Sequence, residues 1–135
     1  MASIARDIHL DVDAQTAWRA LRDFSSPHTL FAGVLAGTEV HGDDRVVTFT
    51  SGLVARERLV DLDDDKRRIA YTVLDGPFTH HHATMTIREA QGGGCRFEWV
   101  SDLLPHDAAP MVGDLMDQGL RAAADTLARH PADTA

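Results

Sequence analysis

Apolar and polar positions along this chain change period twice. From Ser3 to Leu10 they alternate, with Ile4, Ile8 and Leu10 on one parity, which predicts a half-buried strand ending at DVDA. Beyond Asp13, an N-cap residue type, Ala14, Ala17, Trp18, Leu21 and Phe24 recur at three- and four-residue spacing. That predicts a helix running to Phe24 and closed by Ser25-Ser26-Pro27. The run HTLFAGVL, 28–35, predicts a second short helix. From Thr38 to Asp102 the period returns to two, in segments divided by HGDD, SG, DLDDDK, LDGP and QGGG. These turn signals predict a meander of about six strands. After Leu104-Pro105 a final helix is predicted from Asp107 to His130, with Met111, Val112, Leu115, Met116, Leu120, Ala123, Ala124 and Leu127 on one broad stripe. HPADTA at the end reads as a frayed tail. Gly113 and Gly119 lie inside that helix, where each costs about 1 kcal/mol relative to alanine, so close packing or room for a ligand is expected there.

A strand, two short helices, an antiparallel meander and a long helix have few compact solutions. The sheet must bury one face, and the last helix is the element long enough to cover it. The predicted class is α+β: a curved antiparallel sheet of about seven strands wrapped around a long C-terminal helix, as one domain over residues 1–135. A sheet curled around one helix leaves a cavity between them.

Side-chain alternation indicates which residues face that cavity. In GPFTHHHATMTIRE, residues 76–89, the apolar set Ala83, Met85 and Ile87 shares the parity of His81, so His81 points inward while His80 and His82 point outward. Phe97, Trp99, Ser101 and Leu103 form the inward set on the next strand, Glu57 goes with Ala55 and Leu59, and Ile69, Tyr71 and Val73 share a face. The expected pocket is apolar, with Glu57, Tyr71, His81, Trp99 and Ser101 as its polar groups. Val73, Ala83, Met85, Leu53, Val112, Leu115, Met116 and Gly119 are its expected apolar lining. A few convergent polar groups in an apolar cavity make a small-molecule site.

Charge narrows the partners. Thirteen Lys and Arg against 21 Asp and Glu give a formal charge of -8. The one dense basic run, Lys66-Arg67-Arg68, follows Asp63-Asp64-Asp65, so neither nucleic acid nor an anionic membrane surface is expected as a partner. No window approaches the roughly 20 apolar residues of a membrane span, and the start lacks a signal-peptide core, so a cytoplasmic location is expected. The sequence leaves a homodimer open. Cys95, the single cysteine, cannot form an internal disulfide and lacks a nucleophile's context. Gly92-Gly93-Gly94 joins two strands and reads as a hairpin loop, not a phosphate cradle. His9, His41 and His106 stand singly at strand ends or turns and read as surface residues. A His-x-His pair on one strand face is half of a zinc site, but His80 and His82 lack a third ligand nearby, so no metal and no cofactor is expected.

The element order and several strings resemble the START-like, or Bet v 1-like, helix-grip superfamily (SRPBCC), in its bacterial polyketide cyclase/dehydrase and lipid-transport branch. The strings are DAQTAWRALRDFSSP, RERLVDLDDDKRRIAYTVLDGP at 56–77, ATMTI at 83–87 and CRFEWVSDLLP at 95–105. The chain also resembles the plant abscisic-acid receptors of that fold, and Ser51-Gly52-Leu53 falls where those carry a gate loop. By that resemblance Glu57 occupies an inward glutamate position and His81 an inward tyrosine position. Leu35 stands where the receptors place a lysine for a carboxylate, and HTLFAG replaces a Trp-His-Pro-like string. The resemblance implies a hydrophobic small-molecule ligand, polyketide-like or lipid. Two functions follow: cofactor-independent cyclisation or dehydration with Glu57 and His81 as acid and base, or a carrier or sensor without chemistry.

Overall fold

In the computed structural model, which describes residues 2–129, the chain begins with strand β1 (Ala2–Leu10) and helix α1 (Ala14–Leu21). Asp13 caps α1, its Oδ1 accepting from the Thr16 amide at 2.7 Å. The helix stops three residues before Phe24, the predicted end. Asp23 Oδ1 accepts from both the Ser25 amide and hydroxyl, at 3.2 and 2.7 Å, and this local turn competes with a further helical turn. Pro27 does not merely end α1: it opens α2 (Pro27–Leu30) at a position where its missing amide costs nothing. The second helix is thus half as long as HTLFAGVL suggests, and Leu35 already belongs to the sheet.

Six strands follow: β2 (Leu35–His41), β3 (Asp44–Phe49), β4 (Val54–Asp63), β5 (Arg68–Val73), β6 (His80–Glu89) and β7 (Cys95–Leu104). They form one antiparallel sheet in the order β1-β7-β6-β5-β4-β3-β2. The N-terminal strand therefore closes against the last one. A bulge between Leu59 and Asp61 breaks the β4–β5 register and turns Val60 out to solvent, bending the sheet where it must curl. At the β6–β7 hairpin, Gly94 sits at φ +72°, and a Cβ there would run into the carbonyl oxygen of Leu10.

A single 3₁₀ turn, His106–Ala108, leads into α3 (Ala109–Arg129). The helix proper starts two residues later than predicted, and His130 and the HPADTA tail lie outside the described residues. Its buried stripe is Val112, Met116, Leu120, Ala123 and Leu127 with the two glycines. The C-terminal half packs with α1 and the ends of β5 to β7 in a core centred on Trp18, Ile69 and Phe97. The DLDDDK turn supplies the clasp: Asp64 accepts from Trp18 Nε1 at 2.9 Å and Arg22 Nε at 2.8 Å. The N-terminal half of α3 packs through Val112 and Met116 on Ile4 of β1 and Leu103 of β7, and the cavity opens between this half and strands β3 to β6. No helix of the described residues is long and apolar enough to cross a membrane.

Candidate ligand-binding site

The cavity has a volume of about 360 Å³. Strands β3 to β7 form its floor, and Met111, Val112, Leu115, Met116 and Gly119 of α3 its roof. Its mouth lies between Leu53 of the β3–β4 loop with Val54 at the start of β4, residues 75–78 of the β5–β6 loop, and the first turn of α3. Glu57, Tyr71, Val73, His81, Met85, Trp99 and Ser101 all line it. Ala83, expected among them, does not. It is wholly buried between Tyr71 and Ser101 on the neighbouring strands, and its methyl is too short to reach past them.

Arg45 is the polar group that strand reading missed. It shares a face with Val47 and Phe49 on β3 and lies directly opposite Glu57 on β4. Its Nε donates to Glu57 Oε1 at 2.9 Å, with side-chain exposures of 6 % and 11 %. Nη1 donates to the carbonyl of Phe24 at 3.2 Å, and the guanidinium lies 4.6 Å from the Phe24 ring centroid and 5.6 Å from that of Tyr71. Glu57 is thus engaged by an arginine and not by His81. Glu57 pairs with Val73, and His81 lies one strand beyond, so two strand spacings, about 10 Å of backbone, separate the two candidate acid/base residues.

His81 is inward and His80 exposed, as alternation requires. The His81 ring packs edge-on against Phe78, centroids 4.5 Å apart, and its Nδ1 is buried without a protein partner. Burial, reinforced by His80 and His82, pushes its pKa down to about 4, so the imidazole is neutral at pH 7. Two further buried polar atoms of the cavity lining, Trp99 Nε1 and Ser101 Oγ, also lack protein partners. Burial, with the Glu57 carboxylate adding to it, holds the Tyr71 phenol protonated far above its ordinary range. The Arg45 guanidinium, and after it Trp99, oppose that shift, although Trp99 Nε1 makes no hydrogen bond to the phenol. Phe31 leans on Trp99 at 5.9 Å and completes an aromatic wall.

The model of the family described as "Polyketide cyclase / dehydrase and lipid transport" matches residues 1–130. The chain belongs to the polyketide cyclase/dehydrase and lipid transport family. Solved structures share its fold. An uncharacterized protein from Bacillus thuringiensis superposes with a TM-score of 0.85 at 19% identity, covering 92% of this chain and 97% of that one. The protein XoxI from Bacillus cereus gives 0.85 at 18%, covering 93% and 94%. A Thermobifida fusca protein gives 0.79 at 25%, covering 96% and 95%. No protein of curated function is significantly similar in sequence.

As a member of this polyketide cyclase/dehydrase and lipid transport family, the chain carries its cavity where sheet and helix part. Gly119 serves packing rather than ligand space alone: a Cβ there would lie 2.8 Å from Cζ3 of Trp99. That glycine seats the indole against the helix. Cys95 is buried outside the cavity, and burial raises its thiol to about 11. No group of three or more His, Cys, Asp or Glu among the described residues could hold a metal ion.

Proposed function

We propose that this protein binds one hydrophobic, ring-sized small molecule in the cavity beneath α3 and holds it there as a carrier or sensor. One observation carries the reading: His81, Trp99 and Ser101, whose buried Nδ1, Nε1 and Oγ atoms have no protein partner, all line one mostly apolar cavity. Buried hydrogen-bonding groups left unmade cost about 1–3 kcal/mol each, so a ligand that satisfies them gains that much in specificity. The volume sits at the small end of the range for drug-sized ligands. The family's description, cyclase/dehydrase and lipid transport, supports a hydrophobic ligand. Native mass spectrometry of the untagged protein, against the same sample denatured, tests the reading. A retained organic mass that disappears in Val73→Trp, which fills the cavity, is expected; a mass that survives Val73→Trp places the ligand elsewhere and refutes the site.

Catalysis by cyclisation or dehydration is the second reading, and His81 favours it. Its neutral imidazole, free at Nδ1, can take a proton from an activated carbon and return it to a leaving hydroxyl. Glu57, held by Arg45, would serve this chemistry by fixing the field around Tyr71 rather than by exchanging protons with His81. Exchange of the acidic protons of a cyclic β-diketone with solvent deuterium, followed by NMR, decides it. Acceleration lost in His81→Gln supports catalysis; the same exchange rate with and without protein leaves the carrier reading alone.

A further inference from the structure

The cavity's polar groups specify charge as well as shape. Among the described residues that line it, Arg45 is the only Lys or Arg. A free arginine in such a place would recruit a carboxylate, as guanidinium and carboxylate match in fork geometry. Here the Nε hydrogen bond goes to Glu57, the Nη1 hydrogen bond goes to Phe24, and Phe24 and Tyr71 rings flank the guanidinium. An anionic ligand approaching Arg45 would have to share the guanidinium with the buried Glu57 carboxylate already paired to its Nε, or displace it, and either way two like charges compete for one cation in a poorly solvated wall. Asp75, at the mouth, adds a second negative charge on the way in. His81 offers no compensating cation while its imidazole stays neutral.

The free groups are of a different kind. The Trp99 indole only donates, the Ser101 hydroxyl donates or accepts, and a neutral imidazole does one at each nitrogen. Trp99 and Ser101 stand two residues apart on one face of β7, about 7 Å along the strand. His81 lies diagonally across from Ser101 on β6, whose Ala83 is the direct partner, at about 7–8 Å. Such spacing suits a flat molecule of one or two rings with hydroxyl or carbonyl oxygens on opposite edges.

We infer that the cavity selects uncharged, oxygen-bearing ring compounds and rejects carboxylates, and that Glu57 is the specificity-determining residue because it occupies Arg45. This rests on the proposed binding role of the cavity. The test is calorimetric titration near neutral pH with two matched probes, 2,6-dihydroxynaphthalene and 6-hydroxy-2-naphthoate. The wild-type protein should bind the diol at least about tenfold more tightly, and Glu57→Gln should tighten the naphthoate by about tenfold while moving the diol less than about threefold. Arg45→Gln should widen the wild-type preference. If Glu57→Gln does not fold, wild type alone decides. In about 1 M NaCl, where the field of the net charge is screened within about 3 Å, a preference set by the buried pair persists, and one set by the overall charge of -8 vanishes and overturns the inference. Equal binding of both probes overturns it too. Binding of neither refutes the cavity reading itself, and this inference with it.

Discussion

Removing either partner of the Arg45–Glu57 pair should destabilise the protein far more than removing both. The side chains are 6 % and 11 % exposed and 2.9 Å apart, so each neutralises a charge that would otherwise be buried beside Tyr71 and Phe24. Glu57→Leu leaves the guanidinium with one carbonyl partner and two aromatic rings; Arg45→Met leaves the carboxylate with no cation. Each single change is expected to cost about 3–5 kcal/mol, because the penalty of an uncompensated buried charge is added to the lost attraction. A domain of this size has about 5–15 kcal/mol in hand, so either variant stays folded but with a much lower urea midpoint. The double replacement puts apolar side chains of similar volume in a cavity wall already rich in them, and should fall within about 1 kcal/mol of wild type. Urea unfolding followed by fluorescence of Trp18 and Trp99 gives the full double-mutant cycle. Single losses below about 1 kcal/mol, or a double loss equal to the sum of the singles, would refute the claim that this pair is buried and mutually dependent.

Other expectations follow from the same structure. Folding lowers the proton affinity of His81 from its ordinary 6.5 to about 4, so the unfolded chain takes up this proton first as pH falls. Its contribution is complete above about pH 6.5 and is lost toward pH 4, about 2 kcal/mol of it between pH 7 and 5; His81→Leu should flatten that part of the stability profile, and an unchanged profile sinks the assignment. Gly119→Ala gains about 1 kcal/mol of helix propensity but drives a Cβ to 2.8 Å from Trp99, so altered near-ultraviolet circular dichroism and at least about tenfold weaker ligand binding are expected. Gly113→Ala, whose new methyl would meet only the movable Arg6 Nη2 at 3.2 Å, should instead stabilise by about 0.5–1 kcal/mol, and equal behaviour of the two variants would contradict the packing account. Cys95, buried and with its thiol raised to about 11, should react with a thiol reagent only as fast as the protein unfolds; rapid native-state labelling would show the strand end to be open.

The parts of the fold legible in the sequence are those where one face decides everything. His81, Ala83, Met85 and Ile87 all lie on the buried face of β6 because a two-residue period on a half-buried strand leaves one solution. The cap at Asp13 and the stripe of α3 are likewise local patterns with one physical reading. The end of α1 was obscured because Phe24 keeps helical spacing while Asp23 and Ser25 form the competing turn. Pro27 carries two meanings, stop and start, and only the packing of Leu30 and Phe31 into the core selects the second. Arg45 was missed because a charged residue in the string DDRVVTF reads as solvent-facing. Its inward parity with Val47 and Phe49 was a usable signal, but its partner Glu57 lies across a hairpin whose register the sequence does not state.

That register explains why so polar a pair sits in an apolar wall. Pairing β3 with β4 sets Asp44 opposite Arg58 on the outer face and Arg45 opposite Glu57 on the inner one. The outer face discriminates poorly: Asp44 accepts from Arg58 at 2.7 Å and from Arg56 at 3.0 Å, so sliding β4 by two residues would still give it a direct arginine partner. The hydrophobic pattern discriminates no better, since a slip of two keeps every side chain on its own face. The inner pair does discriminate. In the slipped register Arg45 would face Ala55, and Glu57 would lose its cation, leaving two opposite charges buried and separated. The pair that closes the cavity to anions is therefore also the pair that distinguishes the native β3–β4 register from its nearest alternative. The Arg45→Met, Glu57→Leu double variant separates these roles: it should retain stability, yet the Val47 to Ala55 cross-strand contact that NMR can read is where a second register would emerge, and its absence would mean that the turn alone sets the hairpin.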